Sequence, residues 1–394
     1  MAFGSKLSRA RRSQAVEWHA LTHRRIVIAL ATLLTACFLI TCTAPAQTSS
    51  TASLWTLGGV AFSGYLDTYY SYNQNRPSSS ANGQTNDLYN FDDKTDQFNL
   101  AAADLTLNHD PAPVGVHIDL IAGRANTLIH SSFSDDKYIE QAYLSAKPPK
   151  THGTEFDLGQ FVSSAGAEVI PTMNIWDYSH SLLFTYAVPY FHFGLRTSTP
   201  ITKNWAAGLQ LVNGWNNVVA NNGGITVGLT NAYTRPRYTW DLNIYTGPSN
   251  NDTQKGYRNL IDTTLLLTPT AKFNAYVNYD YGQNHTPPTF AAAAASPHWQ
   301  GIALAARQQI TTKSALAARY EYFDDNQGFQ TGTAQRLNEV TTTYEYNWLS
   351  GLLMRAEFRR DSSNVAFFHK GSTEFVNAQS TATLGLIAFF GPKG

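Results

Sequence analysis

The chain has 394 residues, of which 14% are charged and 13% aromatic, with 21 Tyr and 21 Phe; an ordinary soluble domain carries about 25% charge. Formal net charge is zero, yet residues 1–46 hold six Lys/Arg and one Glu, which leaves 22 basic and 27 acidic residues beyond them. A mildly acidic remainder argues against a nucleic-acid partner. Low charge with abundant Tyr, Asn, Thr and Gly points away from a cytosolic enzyme and toward β-structure between lipid and water.

The N-terminus is basic: Lys6, Arg9, Arg11, Arg12, Arg24 and Arg25. Ile26 to Cys42 is an apolar run of 17 residues, and Ala44-Pro45-Ala46 follows as a small-x-small cleavage pattern. Residues 1–46 therefore read as a secretory signal peptide. The run is short for a membrane span of about 20 residues. Cys37 and Cys42 both lie in this leader, so a cleaved chain has no disulfide, no zinc-thiolate site and no cysteine nucleophile. Residues 47–59 form a short segment before the first strand.

The stretch Tyr190–Trp215 sets the pattern for the rest. Phe191, Phe193 and Leu195 alternate with His192, Gly194, Arg196 and Ser198; after the turn Thr199–Asn204, Trp205, Ala207, Leu209 and Leu211 share one parity. This is a β-hairpin with one apolar and one mixed face. Similar units predict sixteen strands: 60–72, 98–108, 114–122, 137–146, 154–161, 182–198 (bent at Pro189), 204–213, 224–233, 237–247, 258–268, 272–282, 300–311, 314–323, 338–348, 351–361 and 379–390. Seven short connections alternate with eight long ones, at 73–97, 123–136, 162–181, 214–223, 248–257, 283–299, 324–337 and 362–378. No window after residue 46 has 18 consecutive apolar residues, so helical spans are not expected. The remaining way to cross a bilayer is a closed barrel. The expected fold is all-β: a transmembrane antiparallel up-and-down barrel of about sixteen strands over residues 60–390, with a tail at 391–394. Short turns belong on the periplasmic side and long loops outside, which places the chain in a bacterial outer membrane with residues 47–59 in the periplasm.

Facing follows from parity. Tyr238, Trp240, Leu242 and Ile244 face lipid, against Arg237, Thr239, Asp241 and Asn243. Phe273, Ala275, Val277 and Tyr279 oppose Asn274, Asn278 and Asp280. Leu316, Ala318, Tyr320 and Tyr322 oppose Arg319 and Glu321. Leu352, Met354, Ala356 and Phe358 oppose Arg355, Glu357 and Arg359. An Arg or Lys on the lipid face costs about 2–4 kcal/mol at mid-membrane, and these charges keep to the other parity. The strands at 60–72 and 137–146 do not alternate cleanly, and their facing is left open. The last strand ends Leu384, Leu386, Ala388, Phe390.

Several segments resemble the OmpL-like β-barrel porins of Gram-negative bacteria. They are Gly64 to Asn73 (GYLDTYYSYN), Glu140 to Leu144 (EQAYL), Asp157 to Phe161 (DLGQF), Asn174 to Phe184 (NIWDYSHSLLF), Pro189 to Arg196 (PYFHFGLR) and Val212 to Asn217 (VNGWNN). The resemblance covers residues 60–220 and fades into general barrel character beyond. It implies a porin without implying a substrate. His180 departs from the family, which usually has Arg there, so selectivity could differ.

No GxGxxG with a following acid, P-loop, HExxH, GxSxG or CxxC is present, and no catalytic set or cofactor site is identified. His117-x-Asp119 reads as polar lumen filler rather than a metal pair, and Asp135-Asp136 and Asp324-Asp325-Asn326 as solvated loop acids. The leading expectation is a water-filled channel for passive diffusion of small polar solutes. Arg196, Arg307, Arg319, Arg355, Arg359, Asp241, Asp280, Glu321, Glu357 and His192 line it in this register. Opposed charges would set a transverse field across the pore. Loop 162–181, with Glu168, Asp177 and His180, is the candidate constriction. The alternative is a structural or adhesive barrel whose long loops bind a surface partner. Beyond solutes and outer-membrane lipid, a homotrimer is the one assembly considered, since sixteen-stranded porins are often trimers; the sequence carries no trimer signature.

Overall fold

The computed structural model describes residues 55–130, 137–287 and 295–392. The leader with its two cysteines, Asp135-Asp136 and most of the alanine run at 291–295 lie outside the described residues. Sixteen long strands form the barrel: β1 Val60–Asn73, β2 Gln97–His109, β3 Val114–Ala122, β4 Ile139–Ala146, β5 Glu155–Val162, β6 Phe191–Thr202, β7 Trp205–Val212, β8 Thr226–Arg235, β9 Tyr238–Gly247, β10 Tyr257–Thr270, β11 Phe273–His285, β12 His298–Gln309, β13 Ser314–Asp325, β14 Gln335–Leu349, β15 Leu352–Ser363 and β16 Ala378–Phe390. Each pairs antiparallel with its neighbours in sequence, and β16 pairs with β1 from Thr381↔Asn73 to Phe390↔Gly64. That seam closes the ring and leaves no strand edge exposed to lipid. A two-residue strand, Thr56–Leu57, turns back on Val60–Ala61, and a small hairpin, Phe368–Lys370 with Glu374–Val376, sits in the last long loop.

Side chains alternate as period 2 requires. Along β13, Leu316, Ala318 and Tyr320 are exposed while Ala317, Arg319, Glu321 and Phe323 are buried. Along β15, Phe358 is exposed between buried Glu357 and Arg359. Arg360 is an exception on the outward parity; it lies toward the long-loop end of its strand, where Nη1 donates to Ser380 Oγ at 3.0 Å. At the short-turn end, Trp205, Tyr238 and Trp240 stand exposed on the outer wall, where amphipathic rings meet headgroups.

Of the two strands whose parity is unreadable in the sequence, 60–72 alternates in the structure, with Tyr65, Asp67, Tyr69 and Ser71 buried; inward tyrosines hide the pattern there, whereas its partner β2 and the other strand, β4, carry β-bulges. Asp67 pairs with Ala102 but Thr68 with Leu100, which leaves Ala101 extra on β2. Asp119 pairs with Gln141 but Leu120 with Ile139, which leaves Glu140 extra on β4. One extra residue flips every later side chain to the other face, so alternation read along a single strand fails there.

One expected element is corrected. Residues 182–190 do not extend a strand from 182 to 198; β6 starts at Phe191, and Leu183–Ala187 is a single π-helical turn. The reason is burial. Leu182, Leu183, Phe184, Ala187 and Val188 pack into the interior cluster with Phe91, Tyr178, Trp299 and Phe323 instead of meeting lipid.

Candidate functional site in the barrel lumen

Two long loops enter the barrel. The first, residues 163–190, descends from β5 and returns to β6. Its entry is tied to mid-wall: Asn243 Nδ2 donates to Ser164 O at 2.9 Å, and the Ala167 amide to Asn278 Oδ1 at 3.3 Å. Its lowest part is gripped by Arg355, close to the short-turn end of β15. Nη1 donates to Thr172 O at 2.5 Å and Asp177 O at 2.8 Å, and Nη2 to Ile175 O at 2.5 Å. A planar guanidinium with five donors suits this task, because it satisfies several carbonyls of one turn at once.

On the way back up, wall carboxylates take over. Glu357 accepts the amide protons of Tyr178 at 2.5 Å and Ser179 at 3.0 Å. Glu321 accepts those of Leu182 at 2.7 Å and Leu183 at 3.1 Å. Buried backbone donors in an irregular segment need such partners. Arg319 ties the two sides together: Nε lies 2.9 Å from Glu339, Nη1 lies 2.8 Å from Glu168 of the loop, and Nη1 also donates to Ser179 O at 2.9 Å. Arg359 pairs with Asp361 at 2.8 Å and donates to His180 O at 2.7 Å. Trp299 Nε1 donates to Ala187 O at 3.1 Å near the exit.

The second loop, residues 74–96, lies over the first and was read only as a long connection. Phe91 packs on His180 at 4.4 Å, Phe184 at 5.9 Å and Tyr190 at 5.5 Å. Tyr89 sits under the Arg359 guanidinium at 4.2 Å. Arg124 fixes the loop from the side through Asp93, with Nε donating at 2.7 Å. Asp92 is buried beside Glu357, and burial followed by that neighbour pushes its carboxyl well above the usual range. The signal for this loop was present in Leu88-Tyr89 and Phe91, an apolar cluster unlike a solvated tip.

Each residue expected to line a pore has a definite place. Arg319, Arg355, Arg359, Glu321, Glu357 and Asp280 face inward and are almost fully covered, with Arg319 at 2% and Arg359 at 0% exposure. Arg307 pairs with Glu345 at 2.7 Å, beneath a cavity of about 330 Å³ at the short-turn end that Trp176 and Arg355 also line. Arg196 pairs with Asp157 at 2.8 Å and stacks on Phe161 at 4.6 Å. Asp241 is half-buried on β9. His192 is buried against Tyr245, ring to ring at 5.0 Å. Of the constriction residues, Glu168 contacts Arg319 as above, and Asp177 Oδ1 accepts from Thr343 Oγ1 at 2.7 Å. His180 Nε2 donates to Val169 O at 3.0 Å; burial holds its pKa down to about 4. Burial raises Asp177 to about 7 despite Arg319 nearby.

The candidate cation ligands are otherwise engaged. Asp325 accepts the amide protons of Phe329, Gln330 and Thr331, so it closes its own loop. His117 Nε2 lies 2.9 Å from Asp119, with Gln141 donating to the same carboxylate oxygen at 2.5 Å. No group of three or more metal-ligating residues occurs among the described residues.

The comparisons agree with this architecture. The family model described as "Putative beta-barrel porin-2, OmpL-like" matches residues 59–390. A comparison with the curated proteins gives no match. Among solved structures, the chain is similar to an anion-selective porin from Comamonas acidovorans, at 12% identity and TM-score 0.56, covering 84% of this chain and 99% of that one. It is also similar to the outer membrane channel DcaP of Acinetobacter baumannii, at 10% identity and TM-score 0.56, covering 84% and 97%. A third likeness is to OmpT of Vibrio cholerae in a trimer form, at 14% identity and TM-score 0.55, covering 84% and 99%.

Proposed function

The chain belongs to the OmpL-like β-barrel porin family, and from that premise we propose a channel whose conductance is set by the loop that fills it. It is an outer-membrane porin, and the solutes it passes are small and polar. The observation that carries the loop reading is the ladder of wall contacts along residues 168–187. Arg355, Glu357, Arg319 and Glu321 hold the loop's own backbone, so the charges expected to line an open pore serve to dock the loop. Solute passes where the loop leaves room, and passes faster when docking loosens. The chemistry is non-enzymatic in this reading: the charges that parity turns inward are engaged with the loop and with one another.

Residues 1–46 act as the export signal in this reading. The assembly is a homotrimer, as the Vibrio cholerae OmpT structure is described; crosslinking of detergent-purified protein tests that separately. Planar-bilayer recording tests the channel. Discrete current steps are expected from wild-type protein, small for a sixteen-stranded barrel. Absence of steps at any voltage defeats the channel reading.

A further inference from the structure

At the long-loop end of the barrel, a cavity of about 180 Å³ opens between β6, β9 and β10, with Trp215, Tyr245, His192 and Arg258 in its wall. Drug-sized ligand sites run to roughly 300–1,000 Å³, so this one suits a small solute. Arg258 is its centre. Nε donates to Asn284 Oδ1 at 3.1 Å. The guanidinium lies between two rings, 4.9 Å from Trp215 and 5.1 Å from Phe329. Among the described residues no carboxylate comes within ion-pair distance of it, whereas Arg196, Arg307, Arg319, Arg355 and Arg359 each have one.

Arg stays charged at any physiological pH. A largely desolvated guanidinium without a counter-charge is costly, and the natural relief is an anion from outside the chain. A second group points the same way. His192 Nδ1 donates to Gly214 O at 2.9 Å. In the neutral ring this makes Nε2 an acceptor, and Nε2 is buried with no hydrogen-bond partner among the described residues. Trp215 and Tyr245 add apolar walls.

We propose that this cavity binds a small carboxylate solute, with the carboxylate on the free Nη groups of Arg258, its carbon body against Trp215 and Tyr245, and a hydroxyl, where the solute has one, on His192 Nε2. The two parallel donors of a guanidinium match the two oxygens of a carboxylate. An inorganic anion would satisfy the charge but leave the aromatic wall wet. The site deepens the channel reading by naming a solute class at the outer mouth.

Isothermal titration calorimetry on the full barrel in detergent micelles tests it with four probes. Sodium lactate is expected to bind saturably, sodium propionate several-fold more weakly, sodium sulfate more weakly again, and neutral lactamide not at all. Arg258→Gln should weaken lactate at least tenfold. Arg258→Lys keeps the charge but loses the fork, and should weaken lactate at least threefold; it decides the matter if the glutamine variant does not fold. Equal heats for lactate and lactamide, sulfate binding as tightly as lactate, or an Arg258→Lys protein indistinguishable from wild type would each overturn the proposal. Calorimetry reads binding and not current, so a null titration leaves the channel reading standing, and absent conductance leaves the site standing.

Discussion

Glu321 on β13 accepts the amide proton of Leu182 at 2.7 Å, although the two residues are 139 positions apart. The neighbouring Leu183 amide donates to the same carboxylate. A wall residue thus supplies the partner that a sheet neighbour would give an ordinary strand, and this is what keeps residues 182–187 off the barrel wall.

Glu321→Ala therefore orphans two buried donors. The expected cost to loop docking is about 1–3 kcal/mol per unsatisfied group. Single-channel conductance should rise above wild type in planar bilayers, and loop 163–190 should become cleavable by added protease. Unchanged current and unchanged proteolysis would contradict the docking account.

Arg355 is expected to be intolerant even of lysine. Its Nη groups serve Thr172, Ile175 and Asp177 carbonyls while Nη2 also lies 2.8 Å from Glu345. A compact ammonium cannot span that set. Arg355→Lys should open the short-turn cavity and raise conductance, with the barrel itself still migrating as folded on unheated gels. Arg355→Ala should do more, because breaking a buried pair costs about 3–5 kcal/mol, moderated here by Arg307, which still faces Glu345.

Acid should loosen the loop through His180. Its pKa is lowered to about 4 by burial, so the docked loop prefers the neutral ring. The stabilisation is complete above the undocked value near 6.5 and is lost as pH falls toward 4. Asp177, raised by burial to about 7, acts in the opposite sense and favours docking as pH falls, so the His180 share is the difference between wild type and a variant that lacks the imidazole. His180→Phe keeps the packing on Phe91 and Phe184 but cannot titrate, so its conductance below pH 6.5 should fall beneath that of wild type. A profile identical to wild type would assign the acid response elsewhere.

Gly385→Ala should be damaging out of proportion to its size, since a Cβ there would overlap the Tyr178 ring. Tyr178→Ala should relieve it. A double-mutant cycle in heat-denaturation experiments is expected to be strongly non-additive; additivity would show that the two residues do not share a site.

The barrel was legible because lipid enforces a rule on every strand. Tyr238, Trp240 and Leu316 must face out, and Asp280, Arg319 and Glu357 must not. Where a bulge added Glu140 on β4, that rule broke and so did the reading; along 60–72 the inward Tyr65 and Tyr69 hide an alternation that is regular in the structure. The lumen was less legible for the same reason. An inward charge looks alike in a list of residues whether it meets water or a loop carbonyl, so parity alone does not reveal the loop carbonyls that Arg355 and Arg359 hold. The segment 182–190 misled because leucine and phenylalanine are apolar in either setting, against lipid or against Phe91 and Trp299. Arg258 lay outside the expected set, being one basic residue at a strand start; what marks it is its place in the cavity wall with no carboxylate at ion-pair distance among the described residues.

Tyr178 also bears on how the molecule is made. Its hydroxyl donates to Asp67 on the first strand at 2.7 Å, and its ring fills the notch that Gly385 leaves in the last. A residue from mid-chain thus bolts together the two termini of the cylinder. Threading 28 residues (163–190) through a finished wall is topologically awkward, so the central segment should already lie between the outer staves when they zip up. Biogenesis and channel restriction would then be one event, and a protein damaged at this bolt would be expected to stall as an open sheet.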